Sequence, residues 1–600
     1  MARVLHVPLD YYSSVSLYRR DTKGIEETQR RISQSEDRNG RLLLTQSLTF
    51  ILVLILINSA AATGQVRSPR ATSQKSSTSL NEINDAKNLL QSGQLREAEA
   101  STRKILSTNP RNAEAHALLG VILDKQGDVA NAEREYVESL HLNPNLVMAL
   151  SNFGVLLART NRAPEAIQKF EQVLRFDPRN DTATFNLGAL YAARGDYKRA
   201  IPFLEKAAGI VPGKVDLREP IDFPLTLTLV NAYFHERRKE APLLSSRLEQ
   251  IAGSDPRALF TLGLSLAEAR EYASAIKLFQ RTNELRPQTY EVHYNLGLAL
   301  YNLDRLDEAF NELSLASTLA PAESDPFYRL GLIASEKGDS KAALTYWARA
   351  LDLKPTFPEV NFVVGEELLK NQLFEKAVPF YEHALEQSKG QLVYYLRLGV
   401  ANIRAQRYAQ AREVFTKALD HYPNDANLYF LLGYTGRADG HYDQSVTAFR
   451  AALKLQPGNA DALANLGYIA SQRGEVVEAE QLLKRAIQLD PGSYASYHDL
   501  GRLLVKLKRY EEALPLLRRG AELNNRDPGV HYQLFLAYSR LKRKDEADAA
   551  LAEFKRLDVG NRHGATPLAE NADSMQQKEV EILPPLPAAA AGDSTKPKTP

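Results

Sequence analysis

The hydrophobic pattern of this chain is built from one unit, which is clearest at residues 290–321. Two apolar stripes of helical period flank a polar turn at residues 303–305, which is the pattern of a helical hairpin. Gly297 and Ala309 are small where the two helices must cross closely. Pro321 closes the unit, because proline has no amide hydrogen and its ring clashes with the preceding helical turn. One such hairpin cannot bury its own apolar face, so the pattern predicts neighbouring hairpins.

The small residue at the place of Gly297 returns every 34 residues along most of the chain. It stands at Gly120, Gly154, Gly188, Gly263, Gly297, Gly331, Gly365, Gly399, Gly433, Gly467 and Gly501. A small residue follows each glycine after twelve positions, and a proline closes most of the units, so the repeats share three markers in phase. Such a phase over hundreds of residues excludes chance.

The glycine, alanine and proline positions and the 34-residue period resemble the tetratricopeptide repeat (TPR) family of helix–turn–helix repeats. The resemblance covers roughly four fifths of the chain. It implies an all-α, right-handed superhelical solenoid of about fourteen TPR helical hairpins. The first unit begins at Ser79, with Ala86 in the glycine place. The last begins near Pro528, and there Phe535 departs from the pattern by standing in the glycine place.

The repeats divide into two predicted blocks, residues 79–212 with four repeats and residues 225–559 with ten. Between them, residues 213–224 are an insertion with two prolines, and we expect a loop there. The first repeat after the insertion is divergent, because Ala232 replaces the glycine and Leu244 replaces the alanine. Residues 560–600 lose the period and are rich in proline and alanine, which predicts a disordered tail.

The segment before the repeats predicts export. Residues 1–40 are polar and without a hydrophobic period, so we expect them to be disordered. Residues 41–62 combine a basic residue, a short apolar run and the small residues Ala60 and Ala62, the pattern of a secretory signal peptide. The alternative is an uncleaved signal-anchor helix, which would be the chain's one contact with a membrane. Residues 63–78 read as a polar linker.

Composition and motifs argue against catalysis. The chain has no cysteine, which removes disulfides, thiol nucleophiles and cysteine-ligated metals. A formal net charge of +2 gives no bias toward nucleic acid. We find no phosphate-binding glycine loop, no paired histidines at metal spacing and no unassigned segment of ordinary enzyme-domain size. We therefore predict no catalytic residue, no metal and no cofactor.

The TPR resemblance implies that the first helix of each hairpin lines a concave groove that binds a protein or peptide. In the family, an asparagine two residues before the glycine place can grip the backbone of an extended peptide, and an amide offers both donors and an acceptor for that task. The candidates here are Asn84, Asn152, Asn186, Asn295 and Asn465. The alternative is that asparagine is simply common at this position.

An aromatic residue recurs one position earlier, and large aromatic side chains often dominate binding energy. The candidates are Phe260, Tyr294, Tyr328, Phe362 and Phe430. The alternative for these residues is packing between adjacent hairpins. Because the neighbouring inner positions are mostly apolar, we do not expect a clamp for acidic C-termini.

We therefore expect a non-enzymatic TPR scaffold, exported to the periplasm or cell envelope, that binds an extended peptide or a partner protein. The alternative is a regulatory or substrate-recruiting subunit of an envelope enzyme, such as a glycosyltransferase or a polysaccharide export complex. The sequence predicts neither the partner nor the oligomeric state.

Overall fold

The computed structural model describes residues 74–210 and 221–561, and describes side chains from residue 81 to 210 and from 221 to 558. In this part of the chain the regular secondary structure is α-helical, with 28 helices. The chain divides into two compact units, one ending at Pro321 and the other beginning at Ala322.

The first unit holds helices α1 to α14. They are α1 (Gln74–Gln91), α2 (Leu95–Thr108), α3 (Ala113–Gln126), α4 (Val129–Leu142), α5 (Val147–Arg159), α6 (Ala163–Phe176), α7 (Asp181–Ala193), α8 (Tyr197–Ala207), α9 (Phe223–His235), α10 (Ala241–Ala252), α11 (Pro256–Glu268), α12 (Tyr272–Leu285), α13 (Tyr290–Asn302) and α14 (Leu306–Leu319).

The second unit holds helices α15 to α28. They are α15 (Asp325–Glu336), α16 (Ser340–Leu353), α17 (Pro358–Lys370), α18 (Phe374–Gln387), α19 (Leu392–Arg404), α20 (Tyr408–His421), α21 (Ala426–Ala438), α22 (Tyr442–Leu455), α23 (Ala460–Arg473), α24 (Val476–Leu489), α25 (Tyr494–Lys506), α26 (Tyr510–Leu523), α27 (Pro528–Arg540) and α28 (Lys544–Asn561).

Each odd-numbered helix packs against the even-numbered helix that follows it, so the described residues form the fourteen predicted hairpins. We call the odd-numbered helices first helices and the even-numbered helices second helices. Each hairpin also packs against the next hairpin within its unit, as a repeat array requires.

The glycine of the first helix is covered by a large side chain of its own second helix. A Cβ atom added at Gly120 would lie 2.8 Å from the Tyr136 ring, and one at Gly154 would lie 2.9 Å from the Phe170 ring. Real Cβ contacts are longer than this, so only glycine allows the two helices to cross at this separation. The close crossing predicted from the small residues is confirmed.

Polar residues fix many of the helix starts. Asn112, Asn180 and Asn459 each accept a hydrogen bond from a backbone N–H in the first turn of the following helix. Such caps satisfy donors that have no partner within the helix. They fix the starts of first helices α3, α7 and α23 soon after the closing proline of the previous hairpin.

The predicted insertion at 213–224 lies within the first unit. Residues 211–220 are outside the described residues, and α9 begins at Phe223 with Pro224 in its first turn, so the helix starts before the predicted loop ends. Proline fits there because the first amides of a helix need no intrahelical partner. Across the insertion, Tyr233 Oη donates a 2.8 Å hydrogen bond to Glu205 Oε1. Helices α8 and α9 therefore pack directly, and the division into two repeat blocks stays a prediction.

The final hairpin forms although Phe535 replaces the small residue. The Phe535 ring is partly buried and lies 6.2 Å from the Tyr532 ring, measured between centroids. Tyr532 in turn lies 5.2 Å from the ring of Phe554 on α28. In this hairpin, contacts among three aromatic rings thus stand in place of the close contact between a glycine and a large side chain that most of the other hairpins have.

Several predictions fall outside the described residues. These are the disordered segment 1–40, the signal or anchor segment 41–62, most of the linker 63–78 and nearly all of the tail 560–600. Helix α1 already begins at Gln74, ahead of the predicted first repeat at Ser79. Within the described ranges, no helix is both long enough and apolar enough to cross a membrane.

Candidate functional site

The first helices of successive hairpins lie side by side within each unit. In the first unit α3 contacts α5, and α5 contacts α7; in the second unit α23 contacts α25, and α25 contacts α27. No two successive second helices make comparable contact in the described ranges. These contacts make the first helices one continuous row in the first unit, and in the second unit they join α23, α25 and α27. We call the side chains that the first helices of a unit present the first-helix row. A ligand that spans several hairpins can touch every hairpin along this row.

The predicted asparagines share one geometry on the first-helix row. In each of four hairpins the side-chain Nδ2 donates a 2.8 Å hydrogen bond to the backbone carbonyl four residues earlier. The pairs are Asn152 to Met148, Asn186 to Thr182, Asn295 to Glu291 and Asn465 to Asp461. Because the donor is fixed on its own helix, the Oδ1 atom is left as an oriented acceptor.

The five asparagines differ in access. Asn84 is exposed, and Asn152 and Asn465 are half-buried. Asn186 and Asn295 are buried, and the Asn186 Oδ1 atom has no hydrogen-bond partner among the described residues. A buried acceptor without a partner costs about 1–3 kcal/mol, a cost that the first unit also carries at the Oδ1 atoms of Asn231 and Asn283.

Four of the five predicted aromatic residues are buried. Tyr294 is 1% exposed, Phe362 2%, Phe430 4% and Tyr328 5%, while Phe260 is partly exposed. Their rings contact other rings within the array. The ring centroids lie 5.6 Å apart for Phe260 and Phe279, 5.4 Å for Tyr328 and Phe357, 5.0 Å for Phe362 and Tyr394, and 5.7 Å for Phe430 and Phe449.

These aromatic side chains pack the helices together and present almost no surface to a partner. The phenyl ring of Phe362, for example, also lies 5.8 Å from the Tyr381 ring of α18, so it joins α17 to both α18 and α19. Their direct contact with a ligand stays a prediction, and their burial favours the packing alternative.

Sequence reasoning missed a set of charged residues on the first-helix row of the second unit. Arg397 Nε lies 3.2 Å from Glu366 Oε1, and Tyr381 Oη donates a 2.6 Å hydrogen bond to the same carboxylate oxygen. Burial raises the pKa of Glu366, although Arg397 and Tyr381 act in the opposite direction. Burial beside this carboxylate also raises the pKa of Tyr381 well above its ordinary value. The neutralised trio joins α17, α18 and α19.

Two further arginines on this row, Arg437 and Arg502, lie against tyrosine rings. Counted from the glycine place, Arg397 stands two residues before it, Arg502 one after and Arg437 four after. A search for one repeated column therefore could not find them. The signal that was available is the density of arginine on α19 to α25. No cluster of three or more His, Asp or Glu residues suited to a metal ion occurs in the described part of the chain.

Comparison with known protein families decides the classification. Sequence profiles described as tetratricopeptide repeat match residues 84–146, 152–215, 254–324, 328–391 and 437–494, and two further profiles of that description match 368–433 and 482–514. This chain belongs to the tetratricopeptide repeat family. The TPR fold is an interaction scaffold, and the family match covers both units.

Curated relatives share only part of their length with this TPR chain. A BBSome complex member BBS4 homolog of Drosophila melanogaster is 22% identical over 195 residues, which is 32% of this chain and 39% of that protein. BBS4 of Bos taurus is 27% identical over 23% of this chain and 29% of its own length. The human protein O-mannosyl-transferase TMTC3 is 24% identical over 24% of this chain and 17% of its own length. The chain thus spans less than two fifths of each relative.

Solved TPR structures resemble the chain weakly. The C-terminal part of a TPR protein of Cytophaga hutchinsonii has a TM-score of 0.36 and 19% identity, covering 40% of this chain and 99% of that one. Yeast Tom70 has a TM-score of 0.27 and 16% identity, covering 84% of this chain and 100% of that one. Because these TM-scores are low, the fold assignment is based on the observed helices and on the family match instead.

Proposed function

We propose that this protein is a non-enzymatic scaffold that binds an extended segment of a partner protein along its first-helix row, and that it acts in the cell envelope after export. The TPR family membership supports the first part, and the signal-like segment 41–62 supports the second.

The observation that carries the binding proposal is the repeated asparagine geometry. Asn152 and Asn465 are both half-buried, and both hold Nδ2 on the carbonyl of the preceding turn at 2.8 Å. Each side chain is therefore ordered before binding, and its Oδ1 atom can accept a hydrogen bond from a peptide N–H. Preorganised groups bind with a smaller entropic cost than groups that must be ordered by the ligand.

An extended peptide suits this arrangement because its backbone N–H groups are not used internally. Each peptide N–H to Asn Oδ1 hydrogen bond is worth about 0.5–1.5 kcal/mol net. Backbone recognition of this kind is tolerant of sequence, so specificity must come from other side chains on the row.

The test is affinity capture from the native envelope fraction, followed by binding measurements with the captured partner. The double variant N152A/N465A removes one of these asparagines from the row of each unit, so it weakens binding whichever unit holds the segment. It should raise the Kd roughly twofold or more, which is the loss of one hydrogen bond at the low end of its range. Both substitutions favour helix formation, so the variant should remain folded.

The matched control is Asn302→Ala. Asn302 lies on first helix α13 and makes the same 2.8 Å bond from Nδ2 to the Leu298 carbonyl, but it stands outside the asparagine column. This variant loses the same local hydrogen bond and should bind the partner normally. Equal affinity of the wild type and N152A/N465A would contradict the proposal.

The alternative, a subunit that recruits substrates for an envelope enzyme, uses the same surface and differs in the partner. The O-mannosyl-transferase similarity covers 17% of that protein and does not favour it. Identification of the captured partner as an enzyme would decide for this alternative.

A further inference from the structure

Arg437 is held between two aromatic rings on the first-helix row of the second unit. Its guanidinium carbon lies 5.7 Å from the centroid of the Tyr434 ring on its own helix, α21. It lies 5.0 Å from the centroid of the Tyr468 ring on α23. The guanidinium carbon of Arg502, on α25, lies 5.2 Å from that same Tyr468 ring. The four side chains therefore form one cluster across three consecutive hairpins, the Arg437 cluster.

The charges in the Arg437 cluster are only partly neutralised. Arg502 pairs with Asp499, with 3.0 Å between Nη2 and Oδ1. Arg437 forms no ion pair in the described part of the chain, and its Nε atom is buried there without a hydrogen-bond partner. The pair of arginines and the one aspartate thus carry a net charge of about +1. A half-buried cation without a counter-ion is costly unless a ligand supplies one.

Contacts with the two tyrosine rings fix the position of the Arg437 guanidinium. A fixed guanidinium favours one oriented anion, whereas a general positive patch attracts any negative charge. Cation–π contacts with Tyr434 and Tyr468 hold the guanidinium plane in place, and a fixed guanidinium binds a carboxylate through two parallel hydrogen bonds. Asn465 stands three residues before Tyr468 and therefore lies on the same face of α23. Its Oδ1 atom can accept a backbone N–H from the same peptide that places a carboxylate at Arg437.

The net charge of the Arg437 cluster favours a peptide ligand over a polyanion such as a nucleic acid. Proteins that bind nucleic acid typically neutralise several phosphates, with a corresponding set of lysines and arginines. One uncompensated arginine fits one carboxylate. We infer that the Arg437 cluster binds the side-chain carboxylate of an acidic residue in an extended peptide. This inference rests on the proposed peptide-binding function and specifies the chemistry of its ligand.

The experiment uses the full chain with fluorescein-labelled hexaglutamate, and hexaglutamine with the same label as the uncharged probe. Fluorescence anisotropy should show binding of hexaglutamate that weakens as salt rises, and at least tenfold weaker binding of hexaglutamine. Arg437→Gln should weaken hexaglutamate binding at least tenfold. Arg437→Lys keeps the charge but loses the planar fork, so it should give an intermediate loss.

Two controls separate the site from general effects of charge and folding. Arg450 is an exposed arginine on second helix α22, 3.3 Å from Glu478, and Arg450→Gln removes the same charge away from the cluster. Its affinity for hexaglutamate should match the wild type. Tyr468→Leu removes the ring that Arg437 and Arg502 both contact and should weaken binding severalfold. Thermal melting of each variant checks that the array is intact.

Three results would overturn the inference. They are equal binding of hexaglutamate and hexaglutamine, unchanged binding by the folded Arg437→Gln variant, and tighter Arg437-dependent binding of a dT12 oligonucleotide than of hexaglutamate. The proposed function fails separately. If the captured envelope partner is lost by N152A/N465A but kept by Arg437→Gln, the scaffold function stands and only the acidic-residue specificity is wrong.

Discussion

The indole Nε1 of Trp347 donates a 3.1 Å hydrogen bond to the backbone carbonyl of Tyr328, directly over the surface of α15 where Gly331 has no side chain. This contact places a buried polar hydrogen on a carbonyl oxygen, so the largest side chain of the second unit is buried without an unpaired donor. It also explains why the glycine is required.

Gly331→Ala should destabilise the second unit. The added Cβ would overlap the Trp347 ring, and overpacking of a core typically costs about 1–3 kcal/mol. The gain in helix propensity from glycine to alanine, about 1 kcal/mol, offsets only part of this cost. Thermal or urea unfolding should therefore show a lower midpoint.

The control is the same substitution at Gly520 on second helix α26. There a Cβ would meet Val530 Cγ2 at 3.4 Å, which is an ordinary contact distance. Gly520→Ala should leave the midpoint unchanged or raise it. A higher midpoint for Gly331→Ala than for the wild type would show that the indole can move away.

Phe362→Ala should lower stability and leave affinity unchanged. The ring is 2% exposed and lies between Tyr381 and Tyr394, so its loss leaves a cavity that typically costs about 3–5 kcal/mol. Phe176→Ala, at a ring that is 49% exposed, is the control and should have a small effect. A Phe362→Ala protein that melts like the wild type but loses the captured partner would restore the aromatic side chains as contact residues.

From the environment of Glu367 we predict that the free energy of unfolding depends on pH. The side chain is 3% exposed and accepts a 2.5 Å hydrogen bond from Ser335 Oγ, and another from Ser340 Oγ. Burial alone would raise the pKa of Glu367, but these hydrogen bonds and Lys370 outweigh it, so the pKa lies below its ordinary value of 4.5. The folded state therefore holds this proton less tightly than the unfolded state does. The stability that ionised Glu367 contributes to the folded state is present above about pH 4.5. It is lost as the pH falls through the lower pKa that this carboxyl has in the folded state.

Glu367→Gln should accordingly unfold more easily at pH 7, by about 1–3 kcal/mol, with the difference shrinking below pH 4.5. Urea unfolding at a series of pH values measures this. Glu375→Gln, at an exposed glutamate on second helix α18, is the control and should follow the wild type at every pH. A constant difference between Glu367→Gln and the wild type down to pH 3 would contradict the assigned role.

Limited trypsin digestion should cut the insertion at 213–224 before any turn between repeats. This segment offers Lys214 and Arg218 in a stretch that exceeds the repeat length and contains two prolines. The variant K214Q/R218Q should lose the early cut and keep the later ones, as mass spectrometry of the fragments would show. Early cleavage elsewhere between residues 79 and 558 would contradict the prediction.

Export should leave a mature chain that begins near Thr63. N-terminal sequencing of the envelope form tests this, and Ala62→Phe should block cleavage because the processing site requires a small residue. Recovery of an intact 41–62 segment only with detergent would favour the anchor alternative. Recovery of the intact chain from the cytosol would contradict both.

The hairpins could be predicted from the sequence because a glycine, a small residue twelve positions later and a closing proline recur in phase. The structure adds a fourth relationship, a large side chain sixteen residues after the glycine that covers it. Gly120 with Tyr136 and Gly331 with Trp347 repeat that relationship in both units. The burial of Tyr294 could not be predicted in the same way. One position on a first helix faces either a ligand or a neighbouring hairpin, and only the packing of other rings against it decides which.

The Arg437 cluster could not be predicted from the sequence, for a related reason. Tyr434, Tyr468 and Arg502 each stand one residue after the glycine place but differ in residue type, whereas Arg437 stands four residues after it. They meet because neighbouring first helices bring both Arg437 and Arg502 against the Tyr468 ring. A periodic search finds what every repeat shares. The binding specificity of one array depends instead on positions at which the residue type differs from repeat to repeat, and such positions leave no periodic signal.

The hydrogen bond from Tyr233 to Glu205 holds α8 and α9 together independently of the chain that links them. A break in that linker need not release either piece, since the interface that joins them stays formed. Two polypeptides, 1–212 and 221–600, produced together should associate into one assembly. The insertion is therefore a natural position for splitting the protein into complementary fragments, or for receiving a foreign domain without loss of the array.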